Sequence, residues 1–365
     1  MQISEEDVSQ SGNPWARPTQ TQNSRRKWLI RAAQLTSCLL ISAGMLYLTL
    51  FAVPKEPLLN ALKHAKVKWI AISLGMIVIN YGLKICRTRS MLANLGAWVS
   101  LSEASTIFLG CMALNNVLPF RAGDVIRVVG FRRLMRTQAS DQISSLVLER
   151  LMDIFVLVVI LIATLGLWKT RVLPASIIRG ILVAFSAIIA GLAALFFAPR
   201  MIYLFAARLE PIAPLLHSVA KFLFNITQAV ATLANPRLLF RLLLLSFAAW
   251  TFEAGVFYAA ARALDVQLSA PASFMALTVG TLSTVIPSSP GYFGTFHYFT
   301  AMTLTAFGVN SVVSAACAVL IHALLWVSVT SAGFIFLWIT GLGAALRHAA
   351  AREAAAQSIA YDTNG

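Results

Sequence analysis

Between Asp265 and Arg347 the chain runs for 81 residues without a single Asp, Glu, Lys or Arg. No surface facing water is built from such a stretch. Elsewhere several apolar runs exceed the roughly 18 residues that suggest a membrane-spanning helix. The whole chain is 58% hydrophobic and 12% charged over 365 residues. In lipid every backbone polar group needs an internal partner, so runs of this length read as helices. The sequence therefore specifies an all-α polytopic membrane protein, with about six to eight transmembrane helices expected.

The formal net charge is +15. The basic residues form short clusters beside apolar runs, which positive-inside topology and anionic headgroups explain. No nucleic-acid fold motif accompanies them, so nucleic acid is not an expected partner. The cysteines Cys38, Cys86, Cys111 and Cys317 are scattered through apolar segments without a CxxC pair. They read as small buried hydrophobes, not as disulfides or metal ligands.

Residues 1–27 read as a polar cytoplasmic tail, rich in Ser, Gln, Asn and Pro and expected to be disordered. Arg25, Arg26, Lys27 and Arg31 place it on the cytoplasmic side. A first run covers Ala32 to Pro54, and "KEPLLNALKHAKVK" forms an amphipathic linker. Further spans are expected at about Trp69–Lys84, Gln142–Trp168, Ile177–Ala198 and up to Ala263, with a long helix over Ser311–Ile339. "KICRTR" reads as a return to the basic side, and "DVIRVVGFRRLMR" as a basic helix lying on the membrane. Residues 211–234 form another amphipathic stretch, and residues 344–365 a cytoplasmic tail. The transmembrane unit is expected over 28–343, in halves 28–170 and 176–343.

The halves carry a repeat. At an offset of 168 residues "LNNVLPFRAG" (Leu114–Gly123) falls on "LSTVIPSSPG" (Leu282–Gly291), with Leu, Val, Pro and Gly coincident. Each half reads span, amphipathic linker, span, broken segment, long span. Taken as re-entrant hairpins, the broken segments enter from opposite faces, because three spans separate them. That is an inverted-topology repeat with discontinuous helices, a transporter architecture. In the hairpins Pro119, Pro287 and Pro290 stop helices, and Gly123, Gly291 and Gly294 permit turns. Asn115, Asn116, Ser283, Thr284, Ser288 and Ser289 supply partners to freed backbone groups. The alternative is ordinary spans followed by loops, with Pro and Gly as punctuation.

Charged residues inside apolar helices are costly and usually face a bundle interior. Arg121 offers a planar fork suited to phosphate or carboxylate, with a local pair to Asp124 as the alternative. Glu149, Arg150 and Asp153 interrupt an apolar helix, and the two acids share a face at i,i+4 spacing. Either acid can pair with Arg121 or Arg127. Glu253 stands 11 uncharged residues after the preceding charge and 8 before Arg262, a less favoured partner. His297 and His322 are polar groups in the uncharged region, with His297 the stronger candidate. Arg127, Arg132, Arg133 and Arg136 read as gripping anionic headgroups. There is no GxxxxGK[ST], HExxH or GxSxG, so no cofactor, metal or nucleotide site is expected. Asn225-Ile226-Thr227 matches a glycosylation sequon on the expected cytoplasmic side and reads as chance.

"NNVLPFRAGDVIR", "ERLMD" and "IPSSPGYFGTF", in that order, resemble the transmembrane region of lysylphosphatidylglycerol synthases. The wider family comprises flippase-like integral membrane proteins, with stand-alone members linked to hopanoid or lipid-linked sugar pathways. The resemblance spans about Ala32 to Gly343 and marks Asn115, Pro119, Arg121, Gly123, Asp124, Glu149, Arg150, Asp153, Pro290, Gly291 and Gly294. Asp124 stands for the usual Glu, Tyr292 for a Gly, and His297 for a Glu, which removes a fixed negative charge. The chain ends about 25 residues past its last span, so the soluble aminoacyl-transfer domain is not expected.

The repeat, the paired broken helices and the charges in apolar helices, with the resemblance beside them, lead to the expectation of a lipid translocase of the cytoplasmic membrane, and the basic clusters to both termini being cytoplasmic. Its expected substrate-binding residues are Asn115, Asn116, Arg121, Asp124, Glu149, Arg150, Asp153, Glu253, Ser289 and His297. Membrane lipids, including anionic headgroups, are the expected partners, with lipid-biosynthesis enzymes as a further possibility. Two other readings stay open: an accessory protein of an envelope pathway, and an enzyme acting on a lipid-linked substrate with Glu149 or Asp153 as base.

Overall fold

The computed structural model describes residues 36–37, 39–50, 53–131, 139–167, 235–286 and 288–340, with the single positions 186, 190 and 224. Among them every regular element is helical. In chain order these are α1 (Leu39–Leu50), α2 (Lys55–Lys63), α3 (Val67–Asn94), α4 (Leu101–Val117), α5 (Ala122–Val129), α6 (Ala139–Leu167), α7 (Pro236–Ala263), α8 (Ala270–Ser283), α9 (Thr295–Ala306) and α10 (Ser311–Ile339). Single 3-10 turns, Pro119–Arg121 and Pro290–Tyr292, separate α4 from α5 and α8 from α9.

Three described helices, α3, α7 and α10, are long and apolar enough to cross a membrane, and a fourth span results if the bent pair α1–α2 is one. That is fewer than the six to eight expected. The expected spans and stretches at 177–198 and 211–234, and both tails, lie outside the described residues. The bounds of α10 match the sequence expectation, while α3 continues ten residues past Lys84 to Asn94.

Helix starts follow from capping residues. Ser100 and Glu103 form a reciprocal capping box on α4, and Ser269 accepts from the backbone N–H of Ala272 on α8. Asn235 followed by Pro236 opens α7, and Asn310 opens α10.

Helix lengths recur along the chain. Helices α3, α4, α5 and α6 have 28, 17, 8 and 29 residues; α7, α8, α9 and α10 have 28, 14, 12 and 29. Packing repeats with the halves exchanged: α4 lies on α10, and α8 lies on α6. Equivalent helices α3 and α7 lie against each other and run antiparallel. Lys66 before α3 meets Asp265 after α7, whereas Met91 near the end of α3 packs on Leu238 and Leu242 near the start of α7.

Small residues allow close helix approach. On α7 Ala254, Ala259, Ala260 and Ala261 are buried. On α10 a Cβ at Gly333 would lie 2.2 Å from the Leu109 carbonyl oxygen of α4. Large apolar side chains instead face outward, among them Val78 on α3, Phe240 on α7 and Trp338 on α10, while Ser73, Asn80, Thr88 and Ser246 are buried. An apolar exterior around a polar interior suits a lipid solvent.

Helix α5 follows the same rule and corrects the expectation of a basic face on the membrane. Val125 and Val129 point outward, and Arg127 is 1% exposed. Arg132, Arg133 and Arg136 lie outside the described residues. Cys111 and Cys317 are buried as expected, but Cys86 is exposed on α3.

Candidate functional site

The two broken segments meet. Helix α4 runs as a continuous helix to Val117 and stops at Leu118, where Pro119 denies a backbone donor to the next turn. The chain then reverses into α5. Asn115 accepts from the backbone N–H of Asp124 at 3.2 Å and donates to the Asp124 carboxylate at 2.9 Å, so it closes the hairpin as expected. Asn116 instead ties the hairpin to α10, donating to Thr330 Oγ1 at 2.8 Å.

Gly123 has a different role from the one expected. The left-handed residue at this tip is Arg121, with φ 51°. Gly123 serves close approach: a Cβ there would lie 2.2 Å from the Cys111 carbonyl oxygen. At the second tip Gly291 and Gly294 do take positive φ, 72° and 90°. Tyr292, with φ 61°, is left-handed too. A non-glycine residue in this region costs about 1–2 kcal/mol, and such strain concentrates at functional sites. Pro287 lies outside the described residues, and Pro290 opens the 3-10 turn of the second tip.

Between the tips and the long helices lies a cavity of about 210 Å³. Its walls include Lys84, Arg121, Arg127, Glu149, Asp153 and Glu253. Most of these charges are paired. Arg127 holds Glu149 through two bonds, 2.7 and 2.9 Å, and both are buried. Thr88 and Ser145 complete that pair at 2.8 and 3.0 Å. Arg87 grips Asp153 at 2.5 and 3.1 Å, and the Trp250 indole N–H donates to the same carboxylate at 3.2 Å. Lys84 lies over the Trp250 ring and bonds Glu253 at 2.7 Å, with Asn80 donating at 2.9 Å. Arg150 approaches Asp124 at 3.3 Å.

Several expectations change. Of the two readings of Arg127, gripping headgroups or pairing with Glu149 or Asp153, the structure has the pair with Glu149; Lys84 and Arg87, expected to return the chain to the basic surface, are buried ion-pair partners too. Glu253 pairs with Lys84, while Arg262 lies over the Trp69 ring. Asp124 is held by Arg150, Asn115 and Cys111, not by Arg121. Sequence reasoning missed Asn80, Lys84, Arg87 and Thr88 as interior groups. Their spacing, i, i+4, i+7, i+8, is the one available signal, a polar stripe along one face of an apolar helix.

Arg121 differs from the other cations. It donates to the backbone carbonyl of Thr284 at 3.2 Å and lies over the Tyr292 ring at 5.7 Å. Among the described cavity cations it is the one without an ion-paired carboxylate. The second tip is anchored by the histidines. The Gly294 N–H donates to His297 Nδ1 at 3.3 Å, so a neutral His297 carries its proton on Nε2, 3.3 Å from His322 Nδ1. His322 then donates through Nε2 to the Gly291 carbonyl at 2.9 Å. Ser289 ties this tip to α1, its backbone N–H donating to Ser42 Oγ at 2.6 Å.

A multi-pass helical membrane protein, with two interrupted helix pairs meeting at a cavity lined by ion pairs, is the class these features define. The chain belongs to the family described as the lysylphosphatidylglycerol synthase transmembrane region, which matches residues 35–354. A curated relative, glycosyltransferase AglD of Haloferax volcanii, is 26% identical over 331 residues, covering 80% of this chain and 52% of the relative. The chain thus spans about half the length of that relative.

Proposed function

We propose that this protein is a lipid translocase that moves an amphiphile with an anionic phosphate headgroup between the leaflets of the cytoplasmic membrane. The observation that carries the reading is Arg121. It stands at the meeting point of both hairpin tips, lines the cavity, and has no ion-paired carboxylate there among the described residues. The other three cations lining the cavity, Lys84, Arg127 and Arg150, pair with Glu253, Glu149 and Asp124, and the lining Asp153 is held by Arg87. The surplus of one positive charge suits one phosphodiester, and the guanidinium fork suits its oxygens.

The architecture supports the same reading. Helices α3 and α7, which correspond at the 168-residue offset, are antiparallel, which supports two halves related by inversion. With α4–α5 and α8–α9 as re-entrant hairpins entering from opposite faces, the tips meet at mid-membrane depth, where alternating access places a substrate. Helix α6 is a further span in this reading, and the apolar runs of the sequence propose six to eight in all. Both termini lie on the cytoplasmic side, and the transmembrane unit occupies 28–343. Asn115, Asn116, Ser289 and His297 hold the tips, whereas Glu149, Arg150, Asp153, Asp124 and Glu253 set the charge of the passage. Movement is downhill or ion-coupled.

The half-length likeness to a protein named a glycosyltransferase supports a second reading, in which the amphiphile is a lipid-linked sugar. Its phosphate would meet Arg121 in the same way.

Binding tests the reading. Added anionic phospholipid raises the melting temperature of the detergent-solubilised wild type and leaves Arg121→Gln unshifted. Equal stabilisation of both proteins would remove Arg121 from substrate binding.

A further inference from the structure

Lys84 sits in a pocket whose walls are those of a site for an organic cation. Its ammonium lies over the Trp250 ring, 3.9 Å from the centroid, and 5.5 Å from the centroid of Tyr81. Both distances fall within the roughly 6 Å over which a ring face attracts a cation. Glu253 closes the pocket, accepting from Lys84 at 2.7 Å, and Asn80 donates to the same carboxylate oxygen at 2.9 Å. Two helices build the pocket with one spacing. Tyr81 and Lys84 lie on α3, Trp250 and Glu253 on α7, and each pair is three residues apart and so shares a helix face. The Trp250 ring is held in place by its indole N–H, which donates to Asp153 at 3.2 Å.

Two features separate this pocket from an ordinary buried ion pair. It is open to the site: Tyr81, Lys84, Trp250 and Glu253 all line the cavity that also holds Arg121. It is also more than a neutralising pair. A carboxylate alone balances an ammonium, whereas ring faces around an ammonium are the means by which proteins recognise organic cations. Left empty, a pocket of this make-up would take the ammonium of a zwitterionic headgroup, with Arg121 of the same cavity left for its phosphate. Here the protein's own side chain fills it.

We propose that Lys84 is a tethered occupant of a headgroup-cation pocket, and that it restricts the cavity to amphiphiles whose phosphate head carries no positive group. A zwitterionic head meets a like charge where its ammonium would go, and a built-in repulsive element of this kind gives specificity. A purely anionic head meets Arg121 and displaces nothing. This rests on the translocase reading and adds which class of headgroup it takes.

The test is calorimetric titration of the purified full chain in detergent with dihexanoylphosphatidylglycerol and, separately, dihexanoylphosphatidylethanolamine. Wild type should bind the glycerol lipid at least about tenfold more tightly than the ethanolamine lipid. Lys84→Ala empties the pocket and should abolish that preference. Propylammonium, which supplies the atoms this variant lacks, should raise the melting temperature of Lys84→Ala and leave wild type unshifted. A Lys84 that merely braces the helices predicts no recovery by the amine and an unchanged lipid preference, and either result would overturn the proposal. Should Lys84→Ala fail to fold, Lys84→Ala with Glu253→Gln removes both charges and keeps both rings. An unchanged preference for the glycerol lipid in that double variant overturns the proposal by itself. Wild type binding the two lipids equally would overturn it while leaving the translocase reading intact. Wild type binding neither lipid would overturn both.

Discussion

Replacing Glu149 by Gln removes the carboxylate that receives both guanidinium nitrogens of Arg127, at 2.7 and 2.9 Å. Arg127 is 1% exposed and Glu149 4%, so the orphaned guanidinium is left largely without solvent. Breaking a buried pair from one side costs about 3–5 kcal/mol. Thr88 and Ser145 remain as neutral partners and offset a little of that. Glu149→Gln should therefore lose about 3 kcal/mol of unfolding free energy, and Arg127→Met a similar amount. The double variant Arg127→Met with Glu149→Met leaves no buried charge and should recover at least about half of the summed loss. The assay is reversible unfolding in mixed micelles, run as a double-mutant cycle. A loss below about 1 kcal/mol for Glu149→Gln, or a double variant as unstable as the sum of the singles, would refute the pairing. In that case Glu149 would be free to act on substrate, one of the readings the sequence left open.

Other expectations follow from close contacts and from the antiparallel pair. Gly123→Ala puts a methyl into the Cys111 carbonyl and should lower stability by about 1–3 kcal/mol, read by thermal melting; no change would mean the first hairpin is looser than described. Gly291→Ala meets both a left-handed φ and the Trp326 indole nitrogen 2.6 Å away, and should damage function more than Gly82→Ala, which meets nothing within 4 Å. Cysteines placed at Lys66 and Asp265 should cross-link within one chain, because those side chains are ion-paired; failure would dissolve the antiparallel α3–α7 pairing. A membrane-permeable maleimide should label Cys86 and spare Cys317, as their exposure dictates.

Much of the scaffold was legible because a lipid solvent demands simple patterns. The bounds of α10 follow from an uncharged run ending where small and turn residues gather. The Pro and Gly punctuation of two segments marked where the 3-10 turns Pro119–Arg121 and Pro290–Tyr292 interrupt the helices. Charge placement was less legible. A Lys or Arg near the end of an apolar run reads the same whether it snorkels to headgroups or turns inward to a partner. Lys84, Arg87 and Arg127 turn inward because Glu253, Asp153 and Glu149 await them on α7 and α6, separations of 169, 66 and 22 residues. The Arg127 pair was among the readings the sequence offered, whereas no local pattern reveals the partners of Lys84 and Arg87. The tip of the first hairpin misleads for another reason: its glycine serves packing, and the strained backbone is taken by Arg121.

The central claim is that the cavity carries a lipid headgroup across the membrane under the control of Arg121. Its most direct test is translocation in proteoliposomes made from a bacterial total lipid extract. An impermeant headgroup-reactive probe counts lipids reaching the outer leaflet for wild type, Arg121→Gln and empty liposomes. The account predicts movement in wild type that falls to the empty-liposome rate in Arg121→Gln. Equal movement in wild type and variant, or folded wild-type protein that moves nothing, would contradict it.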